Sequence, residues 1–438
     1  MNTSPITDIA VDGRSFAGTK SPSAVSSADA ISPEDAELSK IRLLVFTSLY
    51  PNVAQPRHGI FVEERLRHLV DSGRIAATVI APVPWFPFKN KIFGSYAAFA
   101  KVPEYEERHG IKIRHPRYLV IPKVGMSLAP SLMFRALLSV VRRVLREDSK
   151  YDLIDAHYLY PDGVAATAIG SRLGLPVVLT ARGNDVTLIP RYRSPRRAIL
   201  CACKRAAAVV TVSNALRDQL VNLGVSASDV SVLRNGVDLN RFKPVACDKR
   251  RKPMDFSGSV WLTVGHLIER KGVHIVIEAL ARVSSVTLLV VGDGPQERTL
   301  RGLVERLGLG TRVKFLGAKP HAELINYYNM ADTTVLASSR EGMPNVVLES
   351  LGCGTPVVAA PFAGVTEVLT APEAGEIALE RSADAIVSAW LRLKQRSPKR
   401  SATRAFAEQL GWDPVVKAQH ALYARVLAKV VDPEIERK

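Results

Sequence analysis

The sequence predicts an α/β protein of two layers, each a mainly parallel sheet flanked by helices. Three observations lead there. Short β-type runs alternate with segments of helical spacing along most of the chain, the pattern of open α/β sheets. The series halts once, at the basic, Pro-flanked stretch from Lys243 to Pro253, and then restarts. And 438 residues, 47% of them apolar, suffice for two or three domains with buried cores.

In order, Ile41 to Phe46 reads as the first strand and Gly59 to Leu69 as the helix after it. Ala77 to Ala81, Ile111 to His115, Leu153 to Ala156, Val177 to Thr180, Ala208 to Val212 and Val230 to Leu233 continue the first layer. The second comprises Val260 to Val264, Val286 to Val291, Val313 to Leu316, Thr333 to Leu336 and Val357 to Ala360. The expected division is a disordered tail over 1–40, domains over 41–242 and 258–405 joined by a linker over 243–257, and terminal helices over 406–438. The tail is rich in Ser, Ala, Asp and Pro and lacks the charged start and apolar core of a signal peptide. Open α/β sheets bind ligands outside the carboxyl ends of their strands, so two facing layers make a cleft.

The formal net charge of +17 is unevenly placed: 111–150 carries a net +7 and 190–205 a net +6. No apolar run is long enough to cross a bilayer, so any membrane contact is peripheral. Four scattered cysteines fit a reducing cytoplasm, with Cys201-Ala-Cys203 expected to be buried packing. The cationic stretches lack interleaved aromatics for base stacking, and no nucleic-acid partner is expected.

The most informative segment runs from Ser339 to Glu349. Pro344 suits the first turn of a helix, which leaves Glu341 in the loop and Glu349 one or two turns in. Two carboxylates with free backbone N–H groups between them, at Gly342, Met343 and Asn345, suit a ligand with hydroxyls at both ends and a diphosphate in the middle. A nucleotide sugar fits; a solvated helix start is the alternative reading of this segment alone. The P-loop and G-x-G-x-x-G fingerprints are absent, against a P-loop ATPase or a standard NAD dehydrogenase.

With Val264 to Gly272, Val291 to Pro295, Phe315 to Gly317, Ala331-Asp332, Glu341 to Glu349 and Gly354 to Val358 in this order, the chain resembles the retaining glycosyltransferases of family 4, which have the GT-B fold. The resemblance extends over 41–430, more loosely in the first half through Asp155-Ala156-His157, Thr180 to Asp185 and Val232 to Asp238. It implies an acceptor-binding first domain, a nucleotide-sugar-binding second domain and a C-terminal helix that crosses back to the first. It also implies that Glu349 accepts from the ribose hydroxyls, that Glu341 lies near the donor sugar with Gly342, Met343, Pro344 and Asn345 completing the donor loop, and that Lys271, assisted by Arg270, neutralises the diphosphate. His266 stands where many members carry arginine, Arg182 where histidine is common and Arg234 where proline is common.

His157 matches a family histidine near the reacting sugar; a capping or core histidine is the alternative. Asp162, Arg182 and Asp185 are candidates for the acceptor side, with turn chemistry an equal account of Asp162. The resemblance implies transfer with retention at the anomeric carbon and no metal ion or other cofactor, protein cations taking the metal's place. The acceptor is expected to be a glycan or a lipid-linked glycan of a cell-surface polysaccharide. A sugar-nucleotide epimerase on the same fold and a non-catalytic binder of anionic lipid or nucleic acid remain as alternatives. From Pro130 to Asp148, Arg135, Ser139, Arg142 and Arg146 share one helical face, while Leu137, Val141 and Val144 lie elsewhere. Such a helix suits an anionic membrane surface, on the inner face of the cytoplasmic membrane; packing of its apolar side on the first sheet is the alternative.

Overall fold

The structure is a computed structural model, which describes residues 40–86, 90, 95–120, 125–148, 150–246 and 258–431. The expected tail, Cys247, most of the expected linker and the last residues lie outside these.

The first series is β1 (Ile41–Phe46), α1 (Ile60–Asp71), β2 (Ile75–Ile80), β3 (Val83–Pro84), α2 (Ser95–Phe99), β4 (Tyr105–Arg108), β5 (Ile111–Arg114), β6 (Arg117–Tyr118), α3 (Ala129–Glu147), β7 (Leu153–His157), α4 (Val164–Leu173), β8 (Val177–Ala181), α5 (Asn184–Thr187), α6 (Arg193–Arg205), β9 (Ala208–Thr211), α7 (Asn214–Leu223) and β10 (Val230–Val232). The second is β11 (Ser259–Val264), α8 (Val273–Ala281), β12 (Val286–Val291), α9 (Glu297–Arg306), β13 (Val313–Gly317), α10 (Leu324–Met330), β14 (Thr333–Leu336), α11 (Asn345–Gly352), β15 (Val357–Ala359), α12 (Ala363–Thr366) and β16 (Gly375–Ile377). Three helices close the chain: α13 (Ala383–Arg396), α14 (Arg400–Glu408) and α15 (Trp412–Val431).

The strands form an eight-stranded sheet, β10-β9-β8-β7-β1-β2-β5-β4, and a six-stranded sheet, β13-β12-β11-β14-β15-β16. Every pairing within them is parallel except the β4–β5 hairpin, and β3 and β6 make a separate two-stranded ladder. Both faces of the first sheet are covered: in β1, Leu43 and Val45 join the core beneath α1, while Leu44 and Phe46 join the core on the opposite face.

Two expectations need correction. The return to the first sheet was placed from residue 406, but α14 packs on α11, and it is α15 that packs on α1. Leu422, Tyr423 and Val426 of α15 fill the core beneath α1 with Val62, Leu66 and Leu69. And α3 keeps its apolar side for the sheet: Met133, Leu137, Val141 and Val144 are buried, so that side is not available to insert into lipid. Of the cysteine pair, Cys203 is buried and Cys201 exposed.

Candidate functional site at the cleft

On the second layer, Lys271 ends a short turn, Glu269–Lys271, that Gly272 stops at φ 67°. A side chain at Gly272 would put its Cβ 2.1 Å from the Ala337 carbonyl oxygen, so only glycine lets this turn lie against the end of β14. There the Lys271 ammonium donates to Glu341 Oε1 at 2.5 Å, and Ser338 Oγ donates to the same oxygen at 2.7 Å. Arg270 is anchored beside them by donating to the Arg340 carbonyl at 2.7 Å. Pro344 caps α11 instead of lying in its first turn, and the helix begins at Asn345.

On the first layer, the turn after β8 is built around Asp185. Its carboxylate accepts from the backbone N–H groups of Leu159 (2.9 Å), Gly183 (2.6 Å) and Arg182 (3.1 Å). This fixes Arg182, whose guanidinium donates to His157 Nδ1 at 2.7 Å and Asn235 Oδ1 at 3.2 Å and lies over the Phe61 ring. Burial, with Arg65 nearby, pushes Arg182 down to about 9, so it remains a cation at neutral pH.

His157 is buried beside the cavity instead of lining it. Its Nε2 lies 3.1 Å from Asp155 and its Nδ1 accepts from Arg182, so both ring nitrogens are engaged, and the side chain is 2% exposed. Burial holds its pKa below the usual value, which keeps the ring neutral. Burial opposes the charge on Asp155, but His157, Tyr423 and Arg182 together hold that carboxyl below its ordinary pKa. Tyr423 donates to it at 2.8 Å, which ties α15 into the same network.

The two acceptor-side aspartates are likewise internal. Asp185 and Asp162 are 0% exposed; Asp185 organises its own turn, and Asp162 receives the Ser48 hydroxyl at 3.0 Å and the Ser48 N–H. Burial raises Asp162 to about 7.

Between the layers lies a cavity of about 420 Å³. The second layer gives it Arg270, Lys271, Glu341, Gly342, Met343, Pro344 and Asn345, and the first gives Arg182. The structure thus brings these eight expected residues together. His157, Asp162, Asp185, His266 and Glu349 do not line it. The Glu349 carboxylate accepts from Tyr328 Oη at 2.7 Å and lies 2.8 Å from His321 Nε2. His266 sits at the cleft rim with Nδ1 2.7 Å from the Asp293 carbonyl, and Asp293 in turn pairs with Arg57 of the first layer at 2.7 Å.

Phe61, Tyr158, Asn184, Thr187 and Asn235 also line the cavity and were not singled out from sequence. Asn235 bridges the layers, donating to Asn345 Oδ1 at 2.8 Å. Tyr158 adopts φ 79°, a strained conformation for a non-glycine residue, directly after His157. Nothing in its residue type signals that.

Among the described residues one trio has metal-ligand atoms within 4.8 Å of one another: Glu64, His68 and Asp238. The Arg67 guanidinium already bridges its two carboxylates, at 2.9 and 2.8 Å, so the trio reads as an ion-pair network.

This cleft, lined by cations of both layers and by the Glu341 carboxylate, can be set beside known proteins. Residues 59–241 match the family described as Glycosyltransferase Family 4, and residues 249–410 the one described as Glycosyl transferases group 1. The chain belongs to the group 1 glycosyltransferases of family 4. It is 32% identical over 338 residues to a Bacillus subtilis (strain 168) protein whose name assigns it to teichuronic acid biosynthesis as a glycosyltransferase, TuaC, with 75% of this chain and 83% of that protein covered. It is 31% identical over 314 residues, 65% of this chain and 69% of the relative, to a D-inositol 3-phosphate glycosyltransferase of Acidothermus cellulolyticus. The structure of Anabaena HepE in complex with UDP superposes with a TM-score of 0.67 at 23% identity, over 88% of this chain and 100% of HepE. The glycosyltransferase therefore has the GT-B fold, with its two sheets facing across the cavity.

Proposed function

We propose that this glycosyltransferase moves a hexose, with retention at the anomeric carbon and without a divalent metal, from a nucleoside-diphosphate sugar to a glycan or lipid-linked acceptor in cell-surface polysaccharide synthesis. The observation that carries the reading is the Lys271–Glu341–Ser338 cluster in the cleft, flanked by Arg270 and faced by Arg182. In transfer, the bond from the anomeric carbon to the diphosphate oxygen breaks and a bond to an acceptor hydroxyl oxygen forms on the same face. The diphosphate leaves with the electron pair, and the acceptor's proton passes to it or to solvent.

Negative charge grows on the leaving oxygen, where fixed cations act most strongly. In this reading Lys271 and Arg270 supply them from the second layer, and Glu341, which accepts from Lys271, keeps it oriented until a diphosphate takes over the ammonium. HepE's UDP supports a nucleotide donor, and the names of the relatives, TuaC among them, support a polysaccharide pathway. No helix among the described residues is long and apolar enough to cross a membrane.

Thermal-shift screening against nucleotide sugars, followed by rate assays with chelator, tests the reading. A cognate donor raises the apparent melting temperature because it binds the native state alone. Transfer persists in chelator and NMR shows a retained anomer. No shift with any donor, strict dependence on Mg²⁺ or Mn²⁺, or an inverted product contradicts the respective part.

A further inference from the structure

Asn235, three residues past β10, is held from behind by two buried arginines. Arg65 of α1 donates to its Oδ1 at 3.3 Å and Arg182 donates to the same atom at 3.2 Å. Burial lowers the two guanidinium pKa values to about 10 and about 9, which leaves both groups cationic at neutral pH. A guanidinium offers donors only, and the one acceptor of an asparagine side chain is its oxygen. The atom that both arginines reach must therefore be the oxygen, and Nδ2 points the other way. There it donates to Asn345 Oδ1 at 2.8 Å. The constraint passes to this second amide: a donor needs an acceptor, so Asn345 turns its oxygen to Asn235 and its nitrogen away. That nitrogen keeps two N–H groups and has no hydrogen-bond partner among the described residues. Asn345 is the first residue of α11 and lines the cavity with Lys271 and Arg270.

The arginines are themselves held from α15. Gln419 accepts from Arg65 Nη1 at 2.7 Å, while the Leu233 and Arg234 carbonyls accept from Nη2 at 2.7 and 2.8 Å. One turn along the same helix, Tyr423 donates to Asp155, Asp155 lies 3.1 Å from His157, and His157 accepts from Arg182. Two chains of contacts thus leave α15 and meet at one oxygen of Asn235. The backbone beside it is pinned as well. A side chain at Gly236 would put its Cβ 2.7 Å from Trp412 Cα, and the Val237 N–H donates to the Leu410 carbonyl at 3.0 Å. With its oxygen taken twice, Asn235 has no second amide orientation that satisfies both arginines.

We propose that Asn235 is a positioning residue for the donor: through it, α15 fixes the Asn345 amide with its nitrogen toward the cavity, where the two N–H groups donate to the diphosphate. The inference rests on the nucleotide-sugar reading and deepens it, by naming the group of the donor that Asn345 meets and the residue that orients Asn345. Lys271 and Arg270 supply charge to the diphosphate, and the Asn345 amide supplies direction. Turned over, the same amide would present a carbonyl oxygen to an anion and oppose its binding.

Asn235→Asp separates the two ends of this side chain. The carboxylate still accepts from both arginines but has no N–H for Asn345, whose amide then turns its nitrogen to the carboxylate and its oxygen to the cavity. Calorimetry of the full chain with UDP, GDP and ADP first identifies the diphosphate that the parent binds. Asn235→Asp should melt at or above the parent's temperature and lose about ten- to hundredfold in affinity for that diphosphate, while binding the phosphate-free nucleoside within about threefold of the parent. Because the carboxylate also brings a charge, the change is repeated in an Asn345→Ala background, where the two losses should fall short of additivity by about threefold or more. Asn345→Asp still accepts from Asn235 but turns an oxygen to the cavity; it should show the same diphosphate-selective loss, and it carries the test should Asn235→Asp melt below the parent. Diphosphate affinity within about threefold of the parent in both aspartate variants, additive losses in the double variant, or an equal loss for the nucleoside would overturn the role given to Asn235 and leave the nucleotide reading standing. A parent that binds none of the three diphosphates would contradict the nucleotide reading itself, and this inference with it.

Discussion

At Gly342 the second layer lies close against the first in the wall of the cavity, and Gly342→Ala is a sharp test of how the site is assembled. A Cβ there would lie 2.2 Å from the Arg182 carbonyl oxygen and 3.3 Å from Leu216 Cδ1. Ordinary contact with a carbonyl oxygen begins near 3.4 Å, so about 1.2 Å must be recovered by movement. The Arg182 side cannot supply it, because Asp185 holds that turn by three backbone N–H groups. Nor can the Gly342 loop retreat, since Gly364 stands behind it so closely that a Cβ on Gly364 would be 2.8 Å from the Gly342 oxygen. The layers must therefore separate, or Glu341 and Lys271 must shift with the loop. A displacement of about 1 Å at a reacting centre costs on the order of a hundredfold in rate. Initial-rate assays on the folded variant should show kcat/KM down by about that factor. A kcat/KM within threefold of wild type would refute the claim that this contact sets the geometry of the closed site.

Glu349→Ala leaves the buried Tyr328 hydroxyl without its acceptor and should lower stability by about 1–3 kcal/mol; the ribose role that the family resemblance gives Glu349 implies, besides, a loss of nucleoside diphosphate affinity of about ten- to hundredfold. Glu341→Ala releases Lys271 and should hold or improve that affinity while transfer falls steeply; equal loss of affinity by calorimetry in both variants would contradict the assignment. Asp162 has a folded pKa near 7, above its unfolded value, so between about pH 4 and 7 the native state binds the extra proton and stability falls as pH rises. Asp162→Asn should flatten that decline, worth on the order of a few kcal/mol across the window; parallel stability curves for variant and parent would rule it out. Tyr423→Phe removes a donor from buried Asp155 and should cost about 1–3 kcal/mol in denaturant unfolding, and an unchanged midpoint would show that Asp155 finds another partner.

The fold was legible because central parallel strands are covered on both faces and must be apolar runs, as in Val286–Val291, where every residue is buried. The strands that escaped notice lack that signal. β4 is a half-exposed edge, Tyr-Glu-Glu-Arg, and β3, β6 and β16 have two or three residues each. In the site, Glu341, Lys271, Arg270 and the donor loop were readable because they lie within short stretches of sequence. The burial of His157 was partly legible: Asp155 and His157 are two apart on one strand, so their side chains share a face. The residue that completes that buried network, Tyr423, lies 268 positions away and carries no local mark. The partners of Glu349 are similarly remote, His321 and Tyr328 being separated from it by 28 and 21 positions.

The three departures from the family pattern have a common physical consequence, which none of them shows alone. Arg234, in place of proline, pairs with Glu367 at 3.0 Å, and Glu367 also accepts from the backbone N–H groups of Asn214 and Ala215 at the start of α7. Glu367 belongs to the second layer and the other three to the first. His266, in place of arginine, lies 3.8 Å from an Asp293 carboxylate oxygen, and that carboxylate is bonded across the cleft to Arg57. Arg182, in place of histidine, holds Asn235, which bonds across the cleft to Asn345. Each replaced residue thus sits in a contact that joins the two layers. A cation at 182 is also the one charge that the first layer adds directly to the cavity's lining. The contacts that hold the two layers together and the cations that line the cavity therefore share residues, and Arg182 belongs to both sets.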